Sequence, residues 1–208
     1  MTTEIIERIK WLGHDGFEIL TNGIRVVIDP YQVKSGKPAD IIMITHPHFD
    51  HCSIEDIDKL KKPSTIYIAD PVSAGKLSGD VRIVRPGDTV TIDKIQIDAV
   101  PAYNIDKEFH PKTKNWLGFI VTIDGVRIYH AGDTDLIPEM EDFSVDIALL
   151  PVSGTYVMTA DEAIEAAKVL KPEAAIPMHY DTIVGSSNDA EKFKNALEEI
   201  CEVVILTA

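Results

Sequence analysis

Cysteine is scarce in this sequence. Cys52 and Cys201 are the only two among 208 residues, too few for a disulfide framework, and the cytoplasm is the expected compartment. Long apolar runs are also missing: no stretch reaches the roughly 18 residues that a transmembrane helix needs. The opening residues Met1-Thr2-Thr3-Glu4-Ile5 carry neither a basic segment nor an apolar one, which argues against a secretory signal. Positive charge is in short supply too. Lys and Arg number 20 against 34 Asp and Glu, a formal net charge of −14. General affinity for nucleic acid needs a basic surface that displaces counterions, and this balance argues against one, short of a local basic patch. Neither nucleic acid nor a membrane is therefore an expected partner. No linker or low-complexity tract interrupts the chain, so residues 1–208 read as one domain, long enough to bury a sizeable core.

What is present is ordinary in bulk and specific in pattern. Apolar residues make up 45% and charged residues 26%, as in most globular proteins. Ile5–Trp11, Gly16–Leu20 and Ile24–Ile28 read as strands, the last two joined by the hairpin signal Asn22-Gly23. Tyr31–Pro38 reads as a loop and Asp40–Thr45 as a buried strand. Ser53, with Glu55 and Asp56 behind it, marks a capped helix start, and Pro63 ends that helix. Thr65–Ala69 is a strand and Asp70-Pro71 opens a short helix. Val81–Val84 and Val90–Val100 read as strands, the second carrying a turn at Asp93-Lys94. Pro101–Asn115 is irregular, which in a compact domain often marks function. Trp116–Ile123 and Val126–His130 form a hairpin about Asp124-Gly125, and Asp146–Leu150 and Ala174–Pro177 are short strands. The capping box Thr159-Ala160-Asp161-Glu162 opens a helix between them. A last helix covers Asp189–Ile200, with Phe193, Leu197 and Ile200 on one face, and Cys201–Leu206 closes as a strand. Two β-rich halves, each finishing in helix, give an α/β or α+β class with two sheets.

The chemistry concentrates in Thr45-His46-Pro47-His48-Phe49-Asp50-His51, directly after the apolar run Ile41–Ile44. A buried strand that stops at such a loop turns several imidazoles and a carboxylate toward one point. These are ligand types that zinc, manganese and iron share; the bland alternative is a polar loop with surface histidines. The H-x-H-x-D-H string resembles the signature of the metallo-β-lactamase fold hydrolases. Tyr129-His130-Ala131-Gly132-Asp133-Thr134-Asp135 and Ile176-Pro177-Met178-His179-Tyr180 are similar to its small single-domain branch, which includes ascorbate-6-phosphate lactonase-like proteins. The resemblance runs from Trp11-Leu12-Gly13-His14 to the final strand.

The resemblance implies a four-layer αββα sandwich with the site at one edge. It implies two divalent metal ions, zinc first with Mn2+ or Fe2+ as alternatives. One takes His46, His48 and His110, the other takes Asp50, His51 and His179, and Asp133 bridges them. A metal-bound hydroxide would then attack an ester, lactone, amide or phosphoester of a small-molecule substrate, with Asp50 as the catalytic group that orients the water or shuttles its proton. His110 is the open assignment. Relatives carry this histidine nearer the strand end, where Tyr103 and Asn104 stand here. A lost ligand or an exposed loop histidine are the alternatives. His14 is expected to face substrate or support a ligand, and His130 to support a ligand or to be a satisfied core histidine. Cys52 reads as a small buried residue. Specificity is expected on Tyr31–Pro38, Tyr103–Asn115 and Val152–Met158. Lys34, Lys37, Lys107, Lys112 and Lys114 lie on two of these loops, either drawing in an anionic substrate or simply solvated. Competing readings are a nuclease, a redox protein, and a metal-binding regulatory protein without turnover. The sequence is also compatible with a homo-oligomer.

Overall fold

In the computed structural model, which describes residues 1–208, the apolar run before the histidine motif is a strand covered on both faces. It is β4 (Ile41–Ile44) of a six-stranded sheet with β1 (Ile9–Gly13), β2 (Gly16–Thr21), β3 (Ile24–Ile28), β5 (Ile66–Ala69) and β6 (Asp80–Ile83), in the order β1-β2-β3-β4-β5-β6. The first three strands are antiparallel and β3 to β6 run parallel. Parallel neighbours need a crossover: residues 29–40 make it as a loop from β3 to β4, α2 (Ile54–Leu60) from β4 to β5 and α3 (Pro71–Ala74) from β5 to β6. The second sheet repeats this plan. Strands β7 (Thr89–Ile92), β8 (Ile95–Pro101), β9 (Leu117–Ile123) and β10 (Val126–His130) form an antiparallel meander. Strands β11 (Ile147–Pro151), β12 (Ala174–Met178) and β13 (Glu202–Val203) then add in parallel, connected through α4 (Ala160–Leu170) and α5 (Ser187–Leu197).

Side-chain alternation assembles the layers. Val26, Ile28, Ile41, Met43 and Ile68 join the large core between the sheets. Their neighbours Val27, Ile42, Ile44, Tyr67 and Ala69 face the other way, against Ile57 and Leu60 of α2 and Ala74 of α3. This is why β4 reads as a continuous apolar run rather than an alternating one. On the far sheet, Ala163, Ala167 and Leu170 of α4 and Ala190, Phe193 and Leu197 of α5 bury the outer face. The result is the expected αββα sandwich. No helix is long and apolar enough to cross a membrane.

Both expected hairpins form, because Asn22 (φ 49°), Gly23 (φ 81°), Asp124 (φ 52°) and Gly125 (φ 84°) adopt the left-handed backbone that tight antiparallel turns need. Four details differ from the sequence reading. The first residues are not strand: Thr2–Ile6 form a short helix α1, which buries the adjacent Ile5 and Ile6 together, whereas a strand would send neighbours to opposite faces. Val90–Val100 is not one strand, since the Asp93-Lys94 turn folds it into the β7–β8 hairpin. The last strand is only Glu202–Val203, paired to Ala174 and Ala175; Pro177 farther along β12 has no N–H to extend a ladder. Ile200 lies past the end of α5 and is exposed.

Capping and burial contribute unequally to the outer layer. The Thr159 hydroxyl accepts from the Glu162 N–H, and Glu162 returns a bond to the Thr159 N–H at 2.7 Å. Phe193 is fully buried. Thr159→Ala is expected to lower unfolding free energy by about 1 kcal/mol and Phe193→Ala by about 3–5 kcal/mol, measured from denaturant midpoints. A Thr159 variant costing as much as the Phe193 variant would mean that capping, not packing, holds this layer.

Candidate metal centre

The C-terminal ends of β3, β4, β10, β11 and β12 open on one edge of the sandwich, and the residues that follow them carry the polar groups. This is the edge at which parallel sheets generally bind ligands. Asp29 follows β3, His46 to His51 follow β4, Asp133 follows β10, Ser153 follows β11 and His179 follows β12. His46, His51, His110, His179 and Asp133 are buried, while His48 and Asp50 are partly open at the rim.

The donor atoms converge as two groups. His46, His48 and His110 bring nitrogens within 4.8 Å of one another, and so do His14, Asp50, His51 and His179 with their nitrogens and carboxylate oxygen. Asp133 stands between the groups. Its Oδ2 is 3.1 Å from His110 Nε2 and 3.9 Å from His46 Nε2. Its Oδ1 is 3.4 Å from His51 Nε2 and 3.5 Å from His179 Nε2. Ligand atoms about 2.1 Å from a shared tetrahedral ion stand roughly 3.4 Å apart, so these spacings suit two cations sharing one carboxylate. The Nε2 atoms of His51, His110 and His179 and Oδ1 of Asp133 are buried without a hydrogen-bond partner. Buried polar atoms are rarely left so, and a cation would satisfy them.

The other ring nitrogens are held from behind. Asp29 accepts from the Thr45 N–H at 2.8 Å and also from the Thr45 hydroxyl. A carboxylate can only accept, so His51 Nδ1 at 2.8 Å from Asp29 must carry a proton and leave its Nε2 lone pair free. The Thr45 hydroxyl has given its hydrogen to Asp29, so it accepts from His46 Nδ1 at 3.0 Å. One carboxylate thereby sets both ring tautomers. His110 Nδ1 faces two acceptors, Asn104 Oδ1 and the Tyr156 carbonyl, each at 3.2 Å. His179 Nδ1 meets Ser153 Oγ at 2.8 Å. Such partners orient ligands and tune their basicity.

His110, displaced in sequence, is not displaced in space. The chain leaves β8, loops out and returns, and Asn104 closes the loop. Its N–H donates to the His110 carbonyl at 2.7 Å, and its Oδ1 accepts from the His110 N–H at 3.0 Å. His14 stands within the second group of donors: its Nε2 is 3.0 Å from Asp50 Oδ2, and its carbonyl accepts the His179 N–H at 3.1 Å. His130 touches none of the converging side chains. Its Nε2–H donates to the Asp15 carbonyl at 2.8 Å, and its Nδ1 accepts the Gly132 N–H at 3.2 Å, so it braces the backbone on either side of the centre. Cys52 is buried, and burial pushes its thiol up to about 11. Tyr156 lines the opening, whereas Tyr103 bonds Glu139 at 2.7 Å and Tyr180 stacks on Trp11. Lys107 and Lys112 are engaged by Asp135 at 2.6 Å and Glu139 at 2.8 Å.

Electrostatics separate the two groups. Burial, aided by His51, holds the His46 imidazole well below its ordinary value. Burial also lowers His48. Burial opposes charge on His51 and His179 as well, but the Asp133 carboxylate outweighs it, raising His51 well above its usual range and His179 to about 9. The same pairing holds Asp133 well below the carboxylate range despite its burial. Asp15 is the reverse case: burial lifts it well above that range, and both of its oxygens lack partners. The sequence reading missed Asp15 and Asp29. Only their places beside Gly16 and Pro30, at turns next to apolar strands, could have drawn attention to them.

Comparison with known proteins agrees with this geometry. A family model described as a beta-lactamase superfamily domain matches residues 8–179. A UPF0173 metal-dependent hydrolase of Pyrococcus furiosus is 35% identical, over 96% of this chain and 96% of its own. A Parabacteroides distasonis crystal structure assigned as a metal-dependent hydrolase superposes with a TM-score of 0.85 at 36% identity, over 96% of this chain and 93% of its own. Igni18, a metallo hydrolase of the archaeon Ignicoccus hospitalis, gives 0.78 at 27% identity, over 95% and 94%.

The turn that carries Asp133 leaves no room for a larger residue at Gly132. Its φ is +62°, and an added Cβ would lie 2.6 Å from the Leu117 carbonyl oxygen. Gly125 also has a positive φ, +84°, but nothing lies near it. Gly132→Ala is expected to cost about 3 kcal/mol, the upper end for a strained backbone position, and Gly125→Ala about 1 kcal/mol. Denaturant unfolding of the two variants measures this, and equal costs would remove the steric argument.

Proposed function

The chain belongs to the beta-lactamase superfamily and is a metal-dependent hydrolase, and from that premise we propose that it works with a dinuclear centre, zinc first, on an ester, lactone, amide or phosphoester of a small molecule. His46, His48 and His110 would hold one cation, and Asp50, His51 and His179 the other. The observation that carries this reading is Asp133, whose two oxygens face the two histidine groups separately. Two cations so held supply Lewis acidity and lower the pKa of a water between them. Imidazole and carboxylate donors suit zinc, with manganese or iron as alternatives.

The chain's own residues position that chemistry. Asp50 sits at the rim and is the acceptor that aims the attacking water. Burial works against its charge, but the His14 hydrogen bond outweighs burial and keeps its carboxyl below the ordinary value. His14 thereby holds Asp50 Oδ2, the oxygen that also faces His51 Nε2 at 3.8 Å and would reach the cation, and leaves Oδ1 for water. Asp29, through His51 directly and through Thr45 to His46, keeps one ring on each side in the ligating tautomer.

Elemental analysis of the reconstituted protein should find close to two divalent cations per chain. Asp133→Asn should lose both, because each depends on one carboxylate oxygen. His110→Ala should weaken one far more than the other, with activity falling alongside. Asp29→Ala should lower affinity about 10- to 100-fold, the usual effect of removing a ligand's supporting partner. Two cations retained at unchanged affinity in Asp133→Asn would falsify the bridging role.

Proton competition gives a second test. An imidazolium must lose its proton before it can ligate. His179 is raised to about 9, so the proton opposes cation binding at neutral pH and ceases to do so above that value. Because His51 is raised too, apparent affinity for the second cation should climb from pH 7 through about 9. The first cation, held by His46 and His48 whose values lie low, should change less. Competition titrations with a chelator across this range measure both; equal slopes would place the raised histidine elsewhere.

A further inference from the structure

A cavity of about 350 Å³ opens over the centre. His48, Asp50, His110 and Asp133 form its polar floor, and Phe49, Phe109, Tyr156 and Ile183 form its wall. Phe49 is 67% exposed and Phe109 50% exposed. Large apolar side chains grouped in water around a pocket commonly mark a binding surface. The wall is also held in place: Phe109 meets Tyr156 edge-on at 4.6 Å, and Phe49 meets Tyr31 edge-on at 5.8 Å.

No lysine or arginine lines this cavity. The nearby cations are occupied: Lys107 by Asp135 at 2.6 Å, Lys112 by Glu139 at 2.8 Å, and Lys76 by the Pro47 carbonyl at 2.5 Å. Lys34 opens onto a separate cavity with Lys10. A phosphate or carboxylate on the outer part of a substrate would lose water against phenyl rings and gain no counter-charge.

We infer that the site takes a neutral ester or lactone whose apolar group packs against Phe49, Phe109, Tyr156 and Ile183, rather than a substrate whose outer part carries phosphate or carboxylate. The inference rests on the hydrolase reading above and narrows it. In the reaction, a water oxygen bonds to the acyl carbon and gives up one proton, the acyl carbon–oxygen bond breaks, and the leaving alkoxide takes up that proton. An ester gives an acid and an alcohol and a lactone gives one hydroxy acid, with no other reactant needed.

Binding and turnover are measured separately, so that the two readings can fail separately. Acetophenone, butyrophenone and hexanophenone are neutral and have no bond to hydrolyse. Their affinity for the reconstituted protein, read by calorimetry beside a hexanophenone bearing a sulfonate at its chain end, should rise with chain length by up to about fourfold per methylene. The sulfonate, an anion that ligates zinc only weakly, should make that ketone bind more weakly than hexanophenone itself. Phe109→Ser and Ile183→Asn should each flatten the series, with metal content assayed in both. Phe109 neighbours His110, so Ile183→Asn carries the test if the first variant loses metal. A flat wild-type series, tighter binding of the sulfonated ketone than of hexanophenone, or a dimer that Phe109→Ser dissociates would each overturn the inference. The matching 4-nitrophenyl acetate, butyrate and hexanoate report on chemistry. Length-dependent ketone binding without ester turnover would support the pocket and sink the hydrolytic reading. Turnover that ignores chain length would do the opposite.

Discussion

The Asp29 carboxylate is the constraint on which the site depends. It is fully buried at the end of β3, in a left-handed backbone conformation with φ 43°. It accepts three hydrogen bonds, from the backbone and hydroxyl of Thr45 and from the His51 ring. Burying such a group is costly unless it is fully bonded. Here the bonds tie the end of β3 to the end of β4 and to the loop beyond, so the cost of burial is met by ordering the very residues that converge. His46 and His51 therefore have fixed ring orientations before anything binds. Preorganisation of this kind is what a catalytic cation site needs.

The same economy of partners extends around the centre. Asn104 returns His110 to the strand end, Ser153 holds His179, His14 holds Asp50, and His130 braces the backbones of Asp15 and Gly132. His51, His110 and His179 are each gripped at Nδ1 and left bare at Nε2, while His46 Nε2 and His48 Nδ1 lie 3.0 Å apart. Bare nitrogens facing a buried carboxylate are the arrangement that a cation would satisfy. Asp15 stands apart: it is buried among these groups with both oxygens unpartnered, and burial favours its neutral form.

Much of this was legible in the chain. The run Ile41–Ile44 followed by the histidine string identified the central strand and its loop, because a doubly covered strand is apolar throughout. Asn22-Gly23 and Asp124-Gly125 placed two hairpins, since their turns demand left-handed residues. The N-terminal helix was not legible, because Ile5 and Ile6 are apolar and β-branched and suit a strand locally; only packing at the sheet end makes them helical. Asp29 was read as the end of a hairpin, which it is, and nothing in Asp29-Pro30 announces three hydrogen-bond partners, two of them on Thr45, the residue just before His46.

Most strands, the helix starts at Ser53, Asp70 and Thr159, and the donor types of the histidine motif can be read along the chain, because periodicity, turn residues and donor chemistry are local properties. The partition of donors into two groups, the return of His110, the tautomers set by Asp29 and the apolar wall of Phe49, Phe109, Tyr156 and Ile183 were decided only by tertiary structure. Each depends on distances between segments far apart along the chain, such as Asp133 to His110 and His179, and those distances exist only once two sheets have packed and brought their strand ends to one edge.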